Sequence, residues 1–151
     1  MIFISHRGNI NGKNLEKENT IDYILQAIDL GYDVEIDVRL VGNKWFLGHD
    51  SPKEEIDAAF LEREGLWVHC KNLEAVSKLY GNYNVNFFWH QKDDITITSF
   101  GHIWAYPGKQ PILNSIAVLP EIYGDQISTC IGVCSDVIGF YAERQDFNLK
   151  E

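Results

Sequence analysis

No stretch of this chain nears the roughly 18 consecutive apolar residues of a membrane span, which excludes a transmembrane helix. The opening Met1-Ile2-Phe3-Ile4-Ser5 lacks the charged start and long apolar run of a signal peptide. Cysteine is scarce: Cys70, Cys130 and Cys134 are an odd number with no CxxC spacing. They supply neither a disulfide framework nor a zinc site, and read as reduced thiols of a cytoplasmic protein. Basic residues are few, 13 against 22 acidic, for a net charge of -9. A nucleic-acid partner wants a basic face, so none is expected. A small anionic substrate stays open, because a local Arg/Lys pair and a metal outweigh a distant acidic surface. No linker, repeat or low-complexity segment divides the 151 residues, which predicts one domain over 1–151. At 45% hydrophobic and 13% aromatic, the chain has material for a packed core.

Ile2-Phe3-Ile4 predicts a buried first strand, and the polar stretch Asn9 to Glu18 a solvated loop. Ile21, Ile24, Leu25 and Ile28 fall on one helical face, with Asn19 or Thr20 to cap it and Gly31 to stop it. Asp33 to Leu40 alternates charged and apolar residues, the period of a strand. Trp45-Phe46-Leu47 predicts a third strand. Ser51-Pro52-Lys53-Glu54 has the pattern of a capping box and predicts a helix carrying Ile56, Ala59 and Phe60. Leu66 to Lys71 reads as a strand, Asn72 as the cap of a helix with Leu73, Val76, Leu79 and Tyr80, and Val85 to Trp89 as a strand. Strands alternating with helices imply a mainly parallel sheet. Beyond residue 90 a hairpin (Ile95–Thr98, Ile103–Tyr106) and two strands (Ser115–Leu119, Cys130–Val137) are expected, and only Pro120 to Tyr123 looks helical. The predicted fold is α/β: a reduced or incomplete (β/α) TIM-like barrel with a helix-poor second half. An uncovered sheet edge would invite a second copy, a homodimer.

Three strings carry the chemistry: His6-Arg7-Gly8, Glu35-Ile36-Asp37 and Gly48-His49-Asp50. On a strand, Glu35 and Asp37 share one face. If protein covers that face, two like charges need a cation or a proton. A divalent metal held by carboxylates, with histidines beside it, meets that need.

These strings, with Glu18-Asn19-Thr20 between the first two, resemble the glycerophosphodiester phosphodiesterase family among the phospholipase C-like phosphodiesterases. The likeness covers residues 2 to 50. It continues at Val68-His69-Cys70-Lys71, where the family has Glu-x-Lys, and faintly at Gly132-Val133-Cys134-Ser135-Asp136. A full (β/α)8 barrel runs to about 250 residues, so the resemblance implies a shortened member. It implies a metal-dependent phosphoric diester hydrolase with His6 and His49 as the acid/base pair. Imidazole suits both roles near neutral pH. It implies Glu35 and Asp37 as ligands of Mg²⁺ or Ca²⁺, and Arg7 and Lys71 as holders of the phosphate. His69 stands where the family supplies a third carboxylate. As a ligand it adds no charge and moves preference toward Mn²⁺ or Zn²⁺. The alternative is a non-catalytic phosphate-ligand binding protein on the same fold.

Other residues have blander readings. Thr20 reads as a helix cap, and Glu18 as a group that orients Arg7 or the metal. His90 reads as hydrogen-bonded structure, Asp93-Asp94 as a turn or, since it follows a strand end, as a pair facing the site, and His102 has no assigned task. Trp104 and Tyr106 read as core, or as an aromatic wall for a substrate's organic group.

Overall fold

The computed structural model describes residues 1–148. Ten strands form one sheet: β1 (Ile2–His6), β2 (Asp33–Val41), β3 (Lys44–Leu47), β4 (Glu54–Ile56), β5 (Leu66–Cys70), β6 (Phe87–Phe88), β7 (Ile95–Ile97), β8 (Ile103–Ala105), β9 (Ser115–Val118) and β10 (Gly132–Ser135). Three α-helices accompany it: α1 (Ile21–Asp29), α2 (Leu73–Leu79) and α3 (Ile138–Asn148). Strands β6, β5, β2, β1, β10, β9 and β8 run parallel in that spatial order. β3 and β4 extend the sheet antiparallel from β2, and β7 pairs antiparallel with β8.

The parallel run curls. Phe88 of β6 and Trp104 of β8, at its opposite ends, bring their ring centroids to 4.7 Å. No ladder joins those ends. Instead the Ser99 amide donates to the Phe87 carbonyl (2.8 Å), and the Phe87 amide donates to the Ser99 hydroxyl (2.9 Å). The result is a mixed α/β partial barrel with few helices, not a complete eightfold one.

Period-two alternation sorts each strand into two cores. Outward Val34, Ile36 and Val38 of β2 and Val68 of β5 pack with Ile24 and Ala27 of α1 and Ala75 and Leu79 of α2. Inward Ile4, Trp67, Phe88, Trp104, Ile116 and Cys134 form the second cluster, drawn from β1, β5, β6, β8, β9 and β10. β2 contributes no apolar side chain to that inner cluster. Its register sets Glu35 beside Trp67 and Asp37 beside His69.

Four expectations need correction. The capping-box segment forms no α-helix; Glu54–Ile56 is β4, followed by a 3-10 turn over Ala58–Glu62. Pairing of Ile56 with Trp45 buries both, and that cross-strand burial overrides the local helix signal. Glu54 is used elsewhere: its carboxylate accepts from the Ile21 amide at the start of α1 (2.8 Å), where Thr20 makes no side-chain cap. The loop after β1 is not wholly solvated, because Asn9 and Glu18 are buried. Finally, α3 was not expected. Gly139 in its first turn weakens the helix signal. A Cβ there would meet Asn11 Oδ1 at 2.8 Å, so close packing on the β1 loop explains the glycine.

Candidate active site

Above the inner apolar cluster, the next inward positions are polar. His6 ends β1, Glu35 and Asp37 lie on β2, His69 lies near the end of β5, and Asp136 follows β10. His6, Arg7, Glu35, His49, His69 and Lys71 line one cavity of about 660 Å³. Asp37, two residues on from Glu35 along β2, is fully buried. The structure therefore gathers the residues singled out from the sequence, with His49 at the margin. His49 is on the loop after β3, and its Nδ1 bonds exposed Asp50 (2.7 Å) rather than the carboxylate cluster. Two contacts hold that loop: the Gly48 amide donates to the Asp37 carbonyl (3.0 Å), and Arg39 donates to the His49 carbonyl (2.6 Å).

His6 Nδ1 lies 2.7 Å from Asp136 Oδ1, so the ring donates there and turns Nε2 toward Glu35 Oε2, 3.7 Å away. Burial opposes a charged His6, but the Asp136 hydrogen bond and nearby Glu35 more than offset it and raise its pKa. Burial likewise opposes the Asp136 carboxylate, yet its bond to His6 holds it below the ordinary range. Asn9 donates to both Asp136 (2.9 Å) and Glu18 (3.1 Å).

Arg7 and Asn19 are non-glycine residues in left-handed backbone, φ 61° and 55°. Their strain is held by two hydrogen bonds, Arg7 amide to Glu35 carbonyl (2.9 Å) and Asn19 amide to Arg7 carbonyl (3.0 Å). The conformation places the Arg7 guanidinium between Glu18 (3.1 Å) and Asp37 (2.8 Å). The Asp37 contact is a close ion pair without an aligned hydrogen bond. Asn19 donates to Asp37 Oδ2 (2.9 Å) and accepts from the Asp37 amide (3.1 Å). Burial pushes the Asp37 pKa up, but Arg7, His69 and Asn19 together leave it below its ordinary value.

His69 stacks on Phe88 (4.7 Å). Its Nε2 lies 3.0 Å from the His90 carbonyl, which can only accept, so Nε2 carries the hydrogen. Nδ1 then faces Glu35 Oε1 (3.5 Å) and Asp37 Oδ1 (3.4 Å). No family model, curated protein or solved structure matches this chain.

The donor set fits a divalent cation on its own chemistry. One atom each from Glu35, Asp37 and His69 lies within 4.8 Å of the others. Glu35 Oε2 and Asp37 Oδ1 are buried and have no hydrogen-bond partner among the described residues. Two buried carboxylates this close need a positive charge beside them, which a protonated His69 or a cation held by all three groups would supply.

Sequence reasoning passed over Asp136 and Asn9 as site residues and saw Asn19 only as a cap. The Gly132-to-Asp136 string was the one available signal for Asp136. The remaining minor readings resolve simply. His90 donates to the Asp93 carbonyl (2.6 Å), and burial lowers its pKa. His102 packs on Trp67 at 4.8 Å. Asp93 lines the cavity, whereas Asp94 pairs with Lys109 (2.9 Å). Burial pushes the Cys70 thiol up to about 12 and Cys134 well above its ordinary value, so neither is a ready nucleophile. Among the described residues no helix is long and apolar enough to cross a membrane.

Proposed function

We propose that this protein is a metal-dependent hydrolase of phosphoric esters, a phosphodiesterase of glycerophosphodiester type on a reduced TIM-like barrel. The observation that carries the reading is the buried, under-partnered Glu35/Asp37/His69 cluster, with His6 on the same cavity wall and His49 at its margin. A divalent ion held by those three residues, Mg²⁺, Ca²⁺ or Mn²⁺, would neutralise charge on the phosphoryl oxygens.

The chain's own groups supply the rest. Arg7 and Lys71 present cations to the same cavity and would grip the phosphoryl group. Asp136 holds His6 with Nδ1 protonated, leaving Nε2 to take or give a proton at the reacting oxygen. Asp50 holds His49 by its Nδ1 in the same manner, so the two rings would divide the acid and base tasks. A pure binding protein has no use for two oriented imidazoles.

The test is hydrolysis of bis(p-nitrophenyl) phosphate with Mg²⁺, Ca²⁺ or Mn²⁺ and with chelator. His6→Ala and His49→Ala should each lose on the order of 10²–10⁴-fold in rate. A double variant as active as the native chain would refute catalysis by these residues. Phosphate binding without turnover in the native chain would favour the binding-protein alternative.

A further inference from the structure

The cavity has two unlike halves. His6, Arg7, Glu35, His69 and Lys71 line the side built by β1, β2 and β5. Trp104, Tyr106, Pro107, Val118 and Leu119 line the side built by β8 and β9, a stretch without a charged side chain. The charges that border it, Lys92 and Asp93, belong to the loop after β6.

This wall is held rigidly. The Trp104 ring packs on Phe88 (4.7 Å) and Trp67 (5.7 Å). Tyr106 meets His90 edge-on at 5.7 Å. Leu119 sits at φ 46°, ψ 50°, a left-handed conformation that a bulky side chain adopts only when its surroundings impose it. Its amide donates to the Cys134 carbonyl (2.7 Å), and its carbonyl accepts from the Ile122 amide (3.1 Å). Strain of this kind collects at ligand clamps. Here it presents an apolar side chain to the cavity at the edge of the inner core.

We propose that the β8–β9 wall is a subsite for an apolar alcohol group, aryl or short alkyl, of the ester whose phosphoryl group lies against the charged half. The inference rests on the phosphoric-ester reading above. A phosphate alone fills only a small part of about 660 Å³. One of the diester's two alcohol groups then lies along the uncharged wall, leaving the other beside Gln91, Lys92 and Asp93. A polyol would lose water there and find few hydrogen-bonding partners, the Tyr106 hydroxyl and the Trp104 indole N–H. An apolar group loses nothing and gains contact. Specificity then lies with Tyr106 and Leu119, which line the cavity and are only half-buried, whereas Trp104 and Val118 are buried.

Phenylphosphonate and methylphosphonate carry the same anionic head and differ in the apolar group. Titrated calorimetrically into the full chain with Mn²⁺, phenylphosphonate should bind at least about 10-fold tighter, equivalent to about 1.4 kcal/mol. Leu119→Asn and Tyr106→Ser should each move that ratio toward one while leaving methylphosphonate affinity unchanged. Asparagine tolerates the left-handed backbone, so released strain offsets lost packing and the variant should fold, as a thermal melt would verify. Equal binding of both probes to the native chain would overturn the subsite and leave the anion site standing. A ratio unmoved in both variants would also overturn it. Failure of both probes to bind would remove the phosphoric-ester reading and this inference with it.

Discussion

Replacing His69 tests the metal reading at its most particular point. One oxygen each from Glu35 and Asp37 and the His69 Nδ1 lie within 4.8 Å of one another. At that separation and an effective dielectric of ~20, two unit negative charges repel by about 3.5 kcal/mol. A divalent cation bound there would turn that repulsion into attraction, and His69 would complete the donor set with its Nδ1. At 100 times its Kd, bound Mn²⁺ would stabilise the folded chain by about 2.7 kcal/mol. For a chain of this size that raises Tm by roughly 5–10 °C. Pulsed electron paramagnetic resonance of the Mn²⁺ form should show nitrogen coupled to the metal. His69→Gln should abolish the coupling and weaken Mn²⁺ by at least 10-fold, since losing even an outer partner of a metal site costs about 10–100-fold. His69→Glu should shift preference toward Mg²⁺ or Ca²⁺, because a carboxylate is harder and charged. A Mn²⁺ spectrum without nitrogen coupling, or unchanged Mn²⁺ affinity in His69→Gln, would refute the reasoning and leave His69 as a neighbour of the site.

Two further outcomes follow from local geometry. Asp136, with its folded pKa lowered, contributes stability present above its ordinary pKa of 3.8 and lost as pH falls through the lower folded value. His6, with its folded pKa raised, contributes stability present below 6.5 and lost as pH rises through the raised value. Asp136→Asn should therefore lower stability between those limits and weaken its fall on either side, bring the His6 titration down by nuclear magnetic resonance, and slow turnover on the order of 10²-fold; an unmoved His6 titration would exclude a positioning role. Gly48→Ala should cost at least about 1–3 kcal/mol, since φ is 146° and the new Cβ would run into the Ser51 carbonyl oxygen. The same change should displace His49 and depress activity beyond the loss of stability, measurable by comparing melts with rates below the transition.

Much of this protein was written locally. Alternation from Asp33 to Leu40 determined that Glu35 and Asp37 share a face, and the apolar face of residues 21–28 determined α1. The resemblance carried by the His-Arg-Gly and Gly-His-Asp strings pointed to His6 and His49, and both line the cavity. Tertiary structure decided what depends on partners far along the chain. His6 meets Asp136, 130 residues away, only because β1 pairs with β10. Glu54 caps α1 and not a helix of its own, because pairing of β3 with β4 fixes where its carboxylate points. Asn9 and Glu18 look like loop residues until the curled sheet buries them together. Leu119 reads as the end of a strand, and only the packing of β9 against β10 forces it left-handed into the cavity. Periodicity reports which way a side chain faces; which strands become neighbours is settled by the burial of the whole sheet, which no short window of sequence contains.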